Sequence, residues 1–447
     1  MKDKQAANAV KARIPTFLLV LLCSSSVFAQ TLTEVYRKAQ LEDTQFRAAR
    51  KSYEATLEKL PQARAGLLPT VNLTSNRNQQ TGEASFSGAK PVNRDINSWT
   101  WTAQVTQPLI RWASWVGVTQ ATKQVEQATA QFTLAEQDLM LRTAQTYFDI
   151  MLATENIRVA EGQLNAVNEQ LVLAERNFAV GTGIITDIYE AKTKRGSAQS
   201  QRIAALNELA SKQADLDKIL GDNLVLKPSR LTKNLPAMQN EQLGEWLRLA
   251  SQQNVQIKIQ QAAMEVANRE TSKSLGAHAP TLDLTLNRAG AYNSGSLSSP
   301  ADLTTRTQSH QAGLLLNVPL FAGGATQSKV RESLLLEDKA YEDLMGAKRT
   351  ASTQVRQAFA GVMNGQAQIE ALQAAVESGV QAVEANKIGF KIGTRINPDV
   401  LNAEQQLYSA MRDLMKARVD AVMQGLKLKA ASGALQEQDL AALDALL

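Results

Sequence analysis

Apolar positions in this chain recur at two periods, and the changes of period mark where the elements lie. Ile150, Ile157, Leu164, Leu171 and Phe178 stand seven apart, with Ala153, Ala160, Val167 and Ala174 at the intervening core positions. Val362, Ile369, Val376, Val383 and Phe390 repeat the spacing further on. A strict seven-residue repeat held over this length is the seam of a coiled coil. Val400, Leu407 and Leu414, with Ala403, Ala410 and Ala417, carry the same pattern into a shorter partner helix. No proline occurs between Pro108 and Pro228 or between Pro319 and Pro398, so both stretches are free to run helical. A helix of about 65 residues is ~100 Å long at ~1.5 Å per residue, a length no compact domain needs.

Elsewhere the period drops to two. Trp99, Trp101, Ala103 and Val105 alternate with Thr100, Thr102, Gln104 and Thr106. Leu282, Leu284 and Leu286 alternate with Thr281, Asp283, Thr285 and Asn287, and Val71 and Leu73 with Thr70, Asn72 and Thr74. Ala312, Leu314, Leu316 and Val318 do so less cleanly, because Leu315 breaks the polar side. About ten residues each is the length of a tilted membrane-spanning strand. Gly/Ser/Asn-rich loops over 78–96 and 288–308 are expected to join each pair. Two soluble hairpins packed on the helices would alternate in the same way. In lipid, open strand edges are forbidden and four strands close no barrel, so several copies would have to share one.

The chain also repeats itself. A shift of 211 aligns Leu32 with Leu243, Glu34 with Glu245, Ala39 with Ala250, Pro69-Thr70 with Pro280-Thr281, and Pro108-Leu109 with Pro319-Leu320. A shift of 212 aligns Phe178 with Phe390, Gly181-Thr182 with Gly393-Thr394, Asp187 with Asp399, and Gly221 with Gly433. This predicts a tandem duplication: a first repeat over 30–221, a linker over 222–241, a second repeat over 242–433, and a tail over 434–447. The breaks Gly181-Thr182-Gly183 and Gly393-Thr394-Arg395 read as helix-hairpin turns, glycine supplying the φ > 0 conformation that ends a helix. With no following GK[ST] and no preceding strand, they are not phosphate loops.

Charge and composition sharpen the class. The formal charge is +5, but Lys2, Lys4, Lys11 and Arg13 against Asp3 place +3 of it in the first 29 residues. That opening has the parts of a secretory signal: a basic stretch, an apolar core from Phe17 to Cys23, and Val27-Phe28-Ala29 as a cleavage site. Its apolar core is too short for a spanning anchor, and Leu22 sits where a lipoprotein reading of Cys23 would want a small residue. The remaining +2 gives no basic excess to attract nucleic acid. Two histidines and one cysteine exclude a His/Cys metal site or a disulfide framework. His278 and His310 stand alone beside the strands, without HExxH, and no serine lies in GxSxG, so no catalytic constellation and no cofactor are expected.

The signal, the duplication, the strand pairs ending in Gln107-Pro108-Leu109 and Val318-Pro319-Leu320, and the two helix turns together resemble the TolC family of outer-membrane channels. The ending Gly433-Ala434-Leu435-Gln436-Glu437-Gln438-Asp439-Leu440 is similar to that family's C-terminal segment. The resemblance implies a mostly α fold with transmembrane β. Long coiled-coil helices would form an α-barrel, and four strands per protomer would complete a β-barrel on homotrimerisation. The linker and tail would form an equatorial belt. It further implies an outer-membrane exit duct with a periplasmic tunnel. Its partners would be a periplasmic adaptor (membrane fusion protein), an inner-membrane ABC or proton-driven transporter, and outer-membrane lipid. Exported protein (type I secretion) and small toxic compounds are both open, with the C-terminal segment closer to the protein-secreting branch. A periplasmic coiled-coil adaptor or stalk without a channel is the alternative.

Family members close the periplasmic tip by charged and hydrogen-bonding contacts between helix pairs. By resemblance, Thr186 and Asp187 match the acceptor side and Arg395 the arginine that clasps them. Phe390 falls where some members carry a tyrosine bonded to this aspartate, so one link is missing. Asp399 matches an aspartate ring at the tunnel entrance, and Asn402 a position that is often acidic. One carboxylate ring attracts cations less than two. Asp187 and Asp399 would alternatively be helix-start residues only, since both lie in the first turn after a break.

Overall fold

The computed structural model describes residues 31–222, 226, 242–301 and 303–445; the expected signal segment and most of the expected linker lie outside them. The first half runs α1 (Leu32–Glu42), α2 (Thr44–Leu57), α3 (Lys59–Ala65), β1 (Thr70–Ala84), β2 (Val92–Ile110), α4 (Trp112–Ala179) and α5 (Ile185–Leu220). The second runs α6 (Leu243–Gln253), α7 (Val255–Leu275), a 3-10 turn (Gly276–His278), β3 (Thr281–Asn293), β4 (Thr305–Asn317), α8 (Ala325–Lys391) and α9 (Asn397–Ser432), followed by α10 (Glu437–Asp444). The long helices have 68 and 67 residues and their partners 36 each. At ~1.5 Å per residue α4 and α8 are ~100 Å rods.

Heptad residues make the seams. Ile150, Ala153, Ala160, Val167, Leu171 and Ala174 are buried in α4, and Val400, Leu407, Leu414 and Ala417 in α9. The shorter helix of each pair folds back along the distal half of its long partner. Glycine ends both: Gly221 (φ 67°) and Gly433 (φ 79°) close α5 and α9 in the left-handed conformation. At Gly433 a β-carbon would lie 2.3 Å from the carbonyl oxygen of Gln253, so no other residue fits there.

All four strands form one antiparallel sheet in the order β1-β2-β3-β4, rather than two separate hairpins. The strands hold 15, 19, 13 and 13 residues, longer than the ten or so that alternation marks. The connecting loops shrink to 85–91 and 294–304 instead of 78–96 and 288–308. Beyond the apolar band the residues are mostly polar on both faces, so the ladder continues through Asn78–Ala84 and Val92–Ser98 with no alternation to betray it. Arg94 holds the second loop over the first hairpin by donating to the carbonyls of Ser296, Ser299 (2.6 Å) and Pro300 (2.8 Å).

The largest core surrounds the middle of α4. Leu32, Tyr36, Phe46, Tyr147, Phe148, Leu216, Leu226, Leu426 and Leu440 are buried together there, drawing α1, α2, α5, α9 and α10 around one level of the rod. Asp444 fixes the two ends of the chain to each other by accepting from the amides of Leu32 (2.6 Å) and Thr33 (3.0 Å), the unpaired first N–H groups of α1. Asp43 caps α2 through the Phe46 amide (2.6 Å) and pairs with Arg142 of α4 (3.0 Å). Burial alone would raise the Asp43 carboxyl, but the hydrogen bonds from Arg142 and Phe46 together hold it below its usual value. Asn254, the matching position, caps α7 through the Ile257 amide (3.0 Å) and donates to the Ala431 carbonyl (2.7 Å).

Candidate functional site: the helix turns at the distal tip

Both coils end in the same tight reversal. In the first, the amides of Thr182 (2.9 Å) and Gly183 (3.0 Å) donate to the Asn177 carbonyl, with Gly181 at φ 81°. In the second, the amides of Thr394 (2.9 Å) and Arg395 (3.2 Å) donate to the Gly389 carbonyl, with Gly393 at φ 78°. These bonds satisfy the last helical carbonyls and fix the exit direction of the chain. Gly183 is needed for space rather than φ: a β-carbon there would approach Asn177 Cβ and the Phe178 amide at 3.1 Å.

The expected site residues gather at this tip, but not all of them meet within one protomer. Arg395 is exposed and its guanidinium lies 3.7 Å from Asp399 in the first turn of α9. Asp399 also accepts from the Ile396 amide (3.4 Å), so it serves as an N-terminal cap of α9. Asp187 forms no ion pair among the described residues, and burial raises its carboxyl above the usual value. Thr186 is exposed beside it, and Phe390 is half-buried at the end of α8, its carbonyl accepting from the Gly393 amide (3.1 Å). A polar contact that does cross between the two coils is one the sequence did not announce. Lys194 of α5 donates to Asn402 (3.0 Å) and Gln405 (2.8 Å) of α9. No motif marks Lys194, which only the packing of α5 on α9 brings to Asn402.

Further up, an ion-pair staple recurs at matching positions of the two coils, and its polarity is reversed between the halves. Glu175 of α4 faces Lys192 of α5 at 3.9 Å, both well exposed. At the positions 212 further on, Lys387 of α8 meets Glu404 of α9 at 2.8 Å, with the Glu404 side chain only 3% exposed. The bond to Glu404 holds the Lys387 ammonium above its usual value, and burial pushes the neighbouring Tyr408 phenol up as well. The second staple is buried because α9 also packs on α4: a β-carbon on Gly162 would touch the Tyr408 ring at 3.3 Å.

Among the described residues no group of histidine, cysteine, aspartate and glutamate is placed to hold a metal ion. No helix among the described residues is long and apolar enough to cross a membrane.

Comparison with known proteins agrees with this architecture. The profile of the family described as "Outer membrane efflux protein" matches twice, over residues 35–222 and 246–434. The chain is 30% identical to the outer membrane protein TolC of Vibrio cholerae over 437 residues, covering 96% of this chain and 97% of that one. It is 29% identical to the proteases secretion protein PrtF of Dickeya chrysanthemi, covering 95% and 92%. In structure it resembles the Campylobacter jejuni CmeC outer membrane channel, with a TM-score of 0.78 at 18% identity over 93% and 89% of the two chains. Long paired coils, an open four-stranded sheet and the twice-matched profile place the chain in the outer membrane efflux protein family.

Proposed function

We propose that three copies of this chain form an exit duct across the outer membrane and the adjoining periplasm. The observation that carries this reading is the sheet itself. It presents an apolar face through Val71, Leu73, Val105, Leu284, Leu286, Leu314 and Leu316, yet β1 and β4 leave its two edges open. Such edges are tolerable in lipid only when they pair with another copy, and three copies give twelve strands. The coils continue the barrel as a tunnel. At the tip, Arg395 leaves Asp399 and engages Thr186 and Asp187 across the coils, closing the entrance. Asp399 then lines that entrance, one carboxylate per protomer.

The duct catalyses nothing. An inner-membrane transporter, ABC or proton-driven, supplies the energy, and a periplasmic adaptor joins it to the tip and untwists the coils. The name of the relative PrtF and the C-terminal segment favour type I secretion of protein over expulsion of small toxic compounds. Membrane fractionation separates the duct from a peripheral adaptor. The duct stays in the outer-membrane fraction through a carbonate wash and migrates as a trimer until heated. Release by the wash as a monomer overturns the proposal.

A further inference from the structure

We infer that the lipid-facing side of the sheet carries a binding surface for the phosphate groups of outer-leaflet glycolipid, built from Arg77, Arg288 and Arg306. This rests on the barrel orientation proposed above, in which the strand loops point away from the helices and out of the cell. Directly paired residues share one face of a sheet, so the ladder can be read as rows. Val71, Val105, Leu286 and Ala312 form one row of the apolar face. The next row but two toward the loops is Arg77, Trp99, Tyr292 and Arg306, an aromatic pair bracketed by arginines. Between them lie the row Leu73, Ala103, Arg288, His310 and the row Ser75, Trp101, Gly290, Gln308.

Both tryptophans lie against this face. Trp99 Nε1 donates to Ser75 Oγ at 2.9 Å, and a β-carbon on Gly290 would collide with the Trp101 indole. Tryptophan and tyrosine collect at the membrane interface, where one end of the ring is wet.

The height of the apolar band fits this level. Leu320 and Val318, just past β4, continue the exposed apolar line of Leu316 and Leu314. From Leu320 to His310 an extended chain covers about 33 Å. At a tilt of roughly 40° that is about 25 Å of height, the thickness of a barrel's apolar band. Arg288 and His310 therefore sit at the outer-leaflet boundary, and Arg77 and Arg306 in the headgroup layer. An arginine tolerated at the boundary would be costly deeper in the band.

None of the three arginines has an ion-pair or side-chain hydrogen-bond partner among the described residues. The first carboxylate beyond them on this face, Asp95, is four residues past Trp99 and is bound by Gln79 at 3.0 Å. Planar guanidinium groups bind phosphate oxygens two at a time. A patch with three guanidinium groups that have no partner among the described residues, beside rings that pack on acyl chains, is complementary to a phosphorylated glycolipid.

The test uses the purified full-length trimer in nanodiscs and native mass spectrometry. The probes are bis-phosphorylated lipid A, the same lipid with its phosphates removed, and inorganic pyrophosphate. Wild type is expected to retain the phosphorylated lipid and to discriminate against the other two. Arg288→Gln with Arg306→Gln is expected to bind it about 30-fold more weakly, from about 1 kcal/mol per arginine near a charged surface. Equal retention of both lipids by wild type overturns the inference, and so does unchanged binding by the double variant. If that variant fails to assemble, the wild-type comparison between the two lipids decides alone. Loss of the trimer or of channel conductance in wild type would instead overturn the duct reading, independently of lipid.

Discussion

A β-carbon placed on Gly389 would lie 2.7 Å from Cγ of Arg395, so the glycine in the last turn of α8 is what lets the arginine fold back across the reversal. The first coil has the inverse arrangement at the matching positions. There Asn177 carries the side chain and Gly183 the space. In each pair glycine makes room for the other member's side chain, and the choice decides which coil presents a cation at the tip.

Gly389→Ala therefore separates stability from closure. Replacing glycine by alanine inside a helix contributes roughly 0.5–1 kcal/mol in favour of the helix. The same methyl displaces Arg395. The expected outcome is a trimer no less resistant to heat than wild type but with a larger resting conductance. A rise in heat resistance with wild-type conductance would detach Arg395 from closure.

The two staples of opposite polarity predict unequal costs. Lys387→Ala leaves Glu404 buried without its cation, a loss on the order of 3 kcal/mol. Glu175→Ala removes one end of an exposed 3.9 Å pair and costs less than about 1 kcal/mol. Urea titration of the two variants, read by helical circular dichroism, checks the order. Equal midpoints would mean that the second staple is as wet as the first.

Acidification acts at the core around the middle of α4 and at the tip in the same direction but through different groups. The Asp43 carboxyl is held below its usual value, so its stabilisation is complete above the unfolded carboxylate pKa and is lost as pH falls through the lower folded one. Asp43→Ala should remove that acid-dependent part, along with about 1 kcal/mol for the lost cap.

At the tip, Asp187 in the lone protomer is raised by burial, so ionising it costs the folded tip, and that cost grows as pH rises past the usual carboxylate range. Engagement by Arg395 reverses the sign, because the clasp needs the carboxylate. Conductance of the closed trimer is then expected to grow on acidification, and Asp187→Asn to conduct already at neutral pH with little further change. A flat profile in wild type, matched by Asp187→Asn, would contradict the clasp.

Periodicity made much of this fold legible before any coordinate. Seven-residue spacing located the coils, because a seam buried on one side must repeat with the supercoil, and Ile150, Ala153, Ala160, Val167, Leu171 and Ala174 are buried along it. Period two located the sheet for the same reason, and the turns followed from Gly181 and Gly393. The strands outran their expected ends where both faces are mostly polar, since Asn78–Glu83 shows no apolar alternation. The tip was legible as a place and less so as a set of contacts. Asp399 as the neighbour of Arg395, Lys194 bound to Asn402, and Gly389 as the space for Arg395 all depend on how helices lie against each other. The 212-residue shift does expose one of these, by setting Gly389 against Asn177 and Arg395 against Gly183.

Single-channel current through the purified trimer in a planar bilayer, wild type beside Arg395→Ser, tests the central claim most directly. A duct closed by this arginine gives a small, cation-selective wild-type current that grows in the variant. A folded trimer that passes no current in either form, or an unchanged current in the variant, would contradict it.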